Sequence, residues 1–400
     1  MTKAPLFQVL DTKADCVGYF TDNMINANAV LPWEGQTWEY SIHLPGEHYD
    51  LGRIYSNGAT LTDVCPDDLK EEWETIKSRL RACIKAFRKA HLSLDQNCFY
   101  DVVPEYFLFL YLTMKNRITR HVLDTYSRPA NYDSMYNLVQ LLASIRSRSL
   151  AIDTAPIQHL LSSVRGKNFL RTLQTIKPVC DYNAWGTVTG RLATNPHSFP
   201  ILTMNKEFRS CVQPHNDWFL ELDFNAAELR VLLALGGASQ PSNDIHAWNL
   251  KNIYGGTGTR EDAKKRIFAW MYNPQSTDDV SSGSYDKKLV KSKYWDGYKV
   301  KTDYGRILEN VDDHHALNYI VQSTTIDTVH EQACRVYELL KGRKSYISFL
   351  IHDAVYIDLA DEDRYEILNL LDTFGKTRYG RFKVNVSAGK NLGQMKRLKL

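Results

Sequence analysis

The sequence predicts an α+β fold, and three patterns lead there. Residues 1–70 read as β-rich, and the stretch from Pro66 to about Arg171 has helical spacing. Two later apolar runs of strand length, residues 218–223 and 346–351, each lead into an acid. In the first region Trp38, Tyr40, Ile42 and Leu44 alternate with polar neighbours, and Cys16 to Phe20 is a second strand candidate. Pro45-Gly46 and Asn57-Gly58 mark turns there. In the second region Pro66-Asp67-Asp68 reads as a capped start, ahead of Leu69, Trp73, Ile76 and Leu80 on one helix face. Residues 275–300, rich in Ser, Asp, Lys and Gly, read as a loop or insert rather than as helix.

With 49 Lys and Arg against 46 Asp and Glu, charge is near balance, so any surface for nucleic acid must be local. The basic stretch from Lys77 to Arg120 is one candidate, with solvated helix faces as the plainer alternative. The seven cysteines form no C-x-x-C pair and no disulfide framework, which fits a reducing compartment. The expected setting is the cytoplasm of a bacterial or phage-infected cell, an organelle being the other one open to it. The start lacks a signal pattern and no apolar run approaches membrane-spanning length, so no membrane association is expected.

The run Trp218-Phe-Leu-Glu-Leu-Asp223 reads as a buried strand, and Ala227, Leu229, Leu232 and Leu233 then build the apolar face of a helix. Asp223 thus sits where a strand end meets a helix start, and a simple helix cap is its structural alternative. Residues 346–359 read as a hairpin with His352-Asp353 at its tip. Two strand-end acids can hold Mg²⁺ ions roughly 3.5–4 Å apart, each ion completing its shell with water and phosphate. Between them in sequence, Arg260, Lys264, Phe268 and Tyr272 recur every four residues. A step of four advances a helix by about 400°, so they form one slowly turning stripe, cationic first and aromatic last. Such a stripe suits a nucleoside triphosphate, while an ordinary amphipathic helix is the alternative.

These residues carry a resemblance to the polymerase region of family A DNA polymerases, the bacterial DNA polymerase I type. Asp223-Phe-Asn-Ala-Ala-Glu-Leu-Arg230 resembles motif A, the stripe falls at motif B spacing, and Ile351-His-Asp-Ala354 resembles motif C. Thr189-Gly-Arg-Leu192, Asp244-Ile-His246 and the run Ala316 to Gln322 also match in the family's order, so the likeness spans about residue 165 to the end. It implies a right-hand polymerase, with an antiparallel palm sheet, helical fingers and helical thumb. The domains would be a β-rich region of unmatched role (1–70), thumb and connection (71–185), palm (186–243 and 306–400) and shortened fingers (244–305).

By position, the resemblance makes Asp223 and Asp353 the catalytic pair holding two Mg²⁺ ions, Mn²⁺ being the other candidate ion, with Phe224 as a carbonyl ligand. Glu228, His246, Arg260, Lys264, Phe268 and Tyr272 would bind the nucleotide, Tyr272 also meeting Glu228. Arg191, Asn318, Gln322 and His352 would contact DNA. The implied activity is template-directed addition of dNTPs to a primer 3′-hydroxyl. Primer-template DNA, dNTPs and replication accessory proteins are the implied partners. Glu228, packed under the sugar C2′, would exclude ribonucleotides.

The sequence departs from the pattern in places. Ala354 stands where motif C has Glu, and in a regular strand Asp358 would face away from Asp353. Glu221 shares the face of Asp223 and is a candidate supplementary carboxylate. Ala269 and Asn273 replace motif B glycines, and Pro274 ends the helix early, so the fingers are expected to be trimmed. No Asp-x-Glu occurs in residues 1–222, so no 3′–5′ proofreading is expected, as suits a compact viral or plasmid enzyme. Two other readings stay open: a single-subunit RNA polymerase, and a non-catalytic nucleic-acid-binding protein with a degenerate polymerase fold.

Overall fold

A computed structural model describes residues 4–11, 16–27, 34–43, 49–94, 96–273, 276 and 278–399. The expectations placed on Leu44, Pro45-Gly46 and Pro274 lie outside these residues. Contacts divide the chain into two compact units, Met1–Ser147 and Arg148–Leu400.

In the first unit, strands Gln8–Val9, Gly18–Thr21 and Met24–Ala27 pair antiparallel in chain order. The two-residue turn between the last two uses Asp22 and Asn23, both at positive φ, as the twist of a tight hairpin requires. The alternation from Trp38 onward does not make a strand. Strand Gly35–Thr37 stops before it, and the Trp38 indole instead lies on Gly52, where a Cβ would come within 2.7 Å of the ring. Trp38 is thus buried by packing into this unit's core rather than by strand pairing, and Tyr40 and Ile42, only part-buried, do not continue its face.

Helix Lys70–Lys89 buries Trp73 and Ile76, as the spacing predicts, against Phe107, Leu108 and Leu112 of helix Glu105–Thr125. Its start is not capped by a side chain. A 3₁₀ turn, Asp67–Leu69, leads in, and Asp67 pairs with Lys70 at 2.6 Å. The carboxylate is drawn to the ammonium one turn on and leaves the backbone donors to the tighter turn.

The second unit is built on a five-stranded antiparallel sheet. Its spatial order is Tyr346–Ile351, Ala354–Leu359, Trp218–Phe224, Val384–Gly389, Lys396–Arg397. Trp218–Phe224 is thus the central strand. Leu220, Leu222 and Phe224 share one face, where Phe224 stacks on Phe374 of helix Ile367–Gly375 at 4.3 Å. Each such ring or aliphatic side chain contributes about 1.5–3 kcal/mol by leaving water. Helix Asp313–Leu340 packs on helices Ile367–Gly375 and Ala227–Leu235. The opposite face carries Glu221 and Asp223, two residues apart.

The segment read as a loop at 275–300 contains helices Asp279–Ser282 and Lys287–Tyr294, with Asp278 and Asp286 capping them. Tyr285, Val290 and Tyr294 anchor it in the core. A few buried apolar residues among many polar ones are too sparse to register as periodicity. Among the described residues no helix is long and apolar enough to cross a membrane.

Candidate active site

The sheet register sets the two acids side by side. Asp223 lies opposite Ala354 on one neighbouring strand and opposite Asn385 on the other. Ile351 pairs with Ala354, so His352 and Asp353 form a two-residue turn, and Asp353 immediately precedes the strand that pairs with Trp218–Phe224. His352 takes φ 55°, a left-handed conformation that His accepts more readily than bulky or branched residues. Asp223 is not a helix cap: it belongs to the strand, and the N-cap of helix Ala227–Leu235 is Ala226, itself left-handed at φ 53°. That backbone costs about 1–2 kcal/mol in an L-residue, and the buried strand and helix on either side hold it.

The acids are short of compensating charge. Burial pushes the Asp223 carboxyl up to about 7; a hydrogen bond from Asn385 holds it back, and the charges of Asp353 and Glu221 add to the rise. Burial likewise raises Asp353, with Glu221 contributing. Burial raises Glu228 too, against the pull of Arg191. Glu221 shares the Asp223 face, and its carboxylate accepts from the Tyr356 hydroxyl. Asp358 is turned away, as the strand period predicts, and accepts from the His215 and Asn216 amides at 2.7 and 2.9 Å and from the Tyr346 hydroxyl. The donors around Asp223 are hard oxygens whose mutual repulsion a divalent cation would relieve, so they fit Mg²⁺ or Mn²⁺ in kind.

Across from the acids, helix Arg260–Tyr272 starts at a capping box in which Thr259 and Asp262 satisfy each other's backbone donors. Ala263, Ile267, Trp270 and Met271 face the core, which leaves Arg260, Lys264 and Tyr272 exposed and Phe268 half-buried. The Phe268 and Tyr272 rings stack 6.0 Å apart, and the His246 ring lies 5.6 Å from Phe268. The Tyr272 hydroxyl donates to one Glu228 oxygen, and Arg191 donates to the other at 2.7 Å. Burial pulls His246 down to about 4, so it is neutral at physiological pH.

The fold therefore brings Arg191, Glu228, His246, Phe268 and Tyr272 together. Two expectations look different in space. Arg260 already holds a two-point pair with Asp244, at 3.0 and 2.7 Å. Asn318 and Gln322, one turn apart on helix Asp313–Leu340, bond to each other at 2.6 Å.

Several residues were missed in the sequence. Arg230 is fully buried and donates to the carbonyls of Asn225, Pro241 and Asn243. The Asn225 side chain in turn accepts from Ile245 N–H and donates to Asp244. This network ties the loop after Asp223 to the Asp244–Arg260 pair. Its signal was a lone Arg in an apolar helix. Gly190 has φ 84°, and a Cβ there would come within 2.4 Å of the Arg306 guanidinium, which pairs with buried Asp327 at 2.6 Å. Asn385 left no signal at all.

No family model and no curated protein match the sequence. The fold has a solved counterpart in the POL domain of Pol1 from M. smegmatis, in complex with DNA primer-template and dNTP. The likeness covers 98% of this chain and 96% of that chain, with TM-score 0.63 and 11% sequence identity. At that identity it concerns the fold: the chain is a mixed helix-and-sheet protein resembling a polymerase domain.

Proposed function

We propose that this chain is a template-directed DNA polymerase of the family A type. It would add dNTPs to a primer 3′-hydroxyl at Asp223 and Asp353, without 3′–5′ proofreading. The observation that supports this most is the meeting of two desolvated acids at one end of the sheet's central strands with a Glu228–Tyr272 bond to the exposed stripe helix. The likeness to a polymerase domain agrees with it. In this reading residues 71–185 act as thumb and connection, 186–243 and 306–400 as palm, and 244–305 as shortened fingers.

Asp223 and Asp353 would hold the divalent cations in their ionised forms, with the Phe224 carbonyl as a further ligand. When bound, the cation pair supplies the Lewis acidity that acidifies the primer hydroxyl and neutralises the departing pyrophosphate. Lys264 and Arg260 meet the triphosphate, Arg260 exchanging at least part of its Asp244 pairing for phosphate oxygens. His246, being neutral, offers the phosphates a hydrogen bond rather than a charge. Phe268 stacks beside the sugar. Glu228, held on both oxygens, closes the space under C2′. Arg191, Asn318, Gln322 and His352 address the primer terminus and minor groove.

Primer extension by the purified chain tests this, with dNTPs and NTPs compared and Asp353→Asn as control. Template-dependent dNTP addition is expected, and Asp353→Asn is expected to lose more than the roughly 100-fold that an outer-shell change can cost. Extension with NTPs alone would make the chain an RNA polymerase, and no extension under any condition would make it a binding protein.

A further inference from the structure

We propose that Asn385, oriented by Arg397, is a positioning residue that aims the Asp223 carboxylate at its cation. This rests on reading Asp223 and Asp353 as the cation-binding pair. Asp223 has two cross-strand neighbours. Ala354 has no polar side-chain atom, so it leaves the carboxylate free on that side, the side where Asp353 stands. Asn385 on the other side donates from Nδ2 to Asp223 Oδ2 at 3.0 Å. Arg397, diagonal to it on the edge strand, donates to Asn385 Oδ1.

Donor chemistry makes this chain directional. A guanidinium can only donate, so it must meet the amide oxygen, and the amide NH₂ must then face Asp223. Asn385 cannot flip without setting NH₂ against a cation and oxygen against a carboxylate. Oδ2 is thereby tied to the Val384–Gly389 strand, which leaves Oδ1 for the cation shared with Asp353. A strand built this way presents one defined oxygen rather than a freely rotating carboxylate. Arg397 is exposed at the sheet edge, so it acts through Asn385 and needs no contact with substrate.

The test measures Mn²⁺ binding to the full chain by electron paramagnetic resonance, beside single-nucleotide extension. Asn385→Ala is expected to weaken Mn²⁺ by roughly 10–100-fold, as loss of a ligand's hydrogen-bond partner does. It should lower kcat and leave KM for dNTP near wild type. Arg397→Ala, an exposed change that should leave the fold intact, is expected to weaken Mn²⁺ less, and Arg397→Lys to restore most of it. The decisive variant is the double one: if Arg397 works through Asn385, Arg397→Ala has no added effect in the Asn385→Ala background. Additive losses would mean that Arg397 acts by its charge alone, and wild-type Mn²⁺ affinity in Asn385→Ala would end the proposal outright. Asp353→Asn separates the two levels. If it leaves Mn²⁺ binding unchanged, the reading of the acid pair falls and the relay with it. If it abolishes binding while Asn385→Ala does not, only the relay falls.

Discussion

Glu228 has both carboxylate oxygens engaged, one by Arg191 and one by Tyr272, although burial makes its charge costly. A side chain held on two sides presents a fixed wall, which is what steric exclusion of a 2′-hydroxyl requires. We expect Glu228→Ala to admit ribonucleotides, with dNTP preference falling on the order of 10²-fold, the scale at which a pocket rejects an added hydroxyl. Single-nucleotide extension with dCTP and CTP checks this, and unchanged selectivity would remove Glu228 from that role. The motif position pointed to Glu228 in the sequence. Its clamping by Arg191 was not legible, because the two lie 37 positions apart and meet only in the fold.

At the scale of elements, the stripe helix and the Asp223 strand follow from periodicity, while the turn at Gly190 follows from what passes beside it. Gly190 is left-handed, and its missing Cβ leaves room for the Arg306 guanidinium. Gly190→Ala should therefore cost more than the about 1–2 kcal/mol of a left-handed L-residue, since the buried Arg306–Asp327 pair must also shift. Gly237→Ala is the control: it has φ 83° and nothing within 4 Å of its Cβ, so it carries the backbone cost alone. Denaturant unfolding of the two variants compares them, and equal losses would mean that Arg306 yields without cost. The helices within 279–294 carry the complementary lesson, for a few buried aromatic anchors suffice to order a stretch whose composition reads as loop.

For the whole molecule, the desolvated acids couple folding to pH and to cations. Asp223 in the folded chain keeps its proton up to about 7, whereas the unfolded chain releases it at the ordinary value of 3.8. The folded state thus binds more protons between these values, and without a divalent cation its stability should fall as pH rises through that window and level off above it. A cation binds the ionised form, so Mg²⁺ should raise Tm more near about pH 8 than near about pH 5. Calorimetry at both pH values measures this, and Asp223→Asn should flatten both dependences. A Tm insensitive to Mg²⁺ at either pH would count against a cation at these acids. A second expectation is the absence of editing: a mismatched 3′-terminal primer should stay intact in a degradation assay without dNTPs. Shortening of that primer, lost when residues 1–147 are deleted, would overturn it.

What the sequence by itself determined is the local chemistry: acids at the ends of strand-length apolar runs, a cationic-to-aromatic stripe set by the helical repeat, and the ordered motifs with their family likeness. These depend on neighbours a few positions away, and short-range periodicity records them. The tertiary structure alone decided other partners: Asn385 beside Asp223, Arg191 on Glu228 and Arg306 over Gly190. The first depends on sheet register, where a shift of one residue turns every side chain to the other face. All three join residues far apart in the chain that only the fold brings together, and the spacing of neighbouring residues carries no record of them.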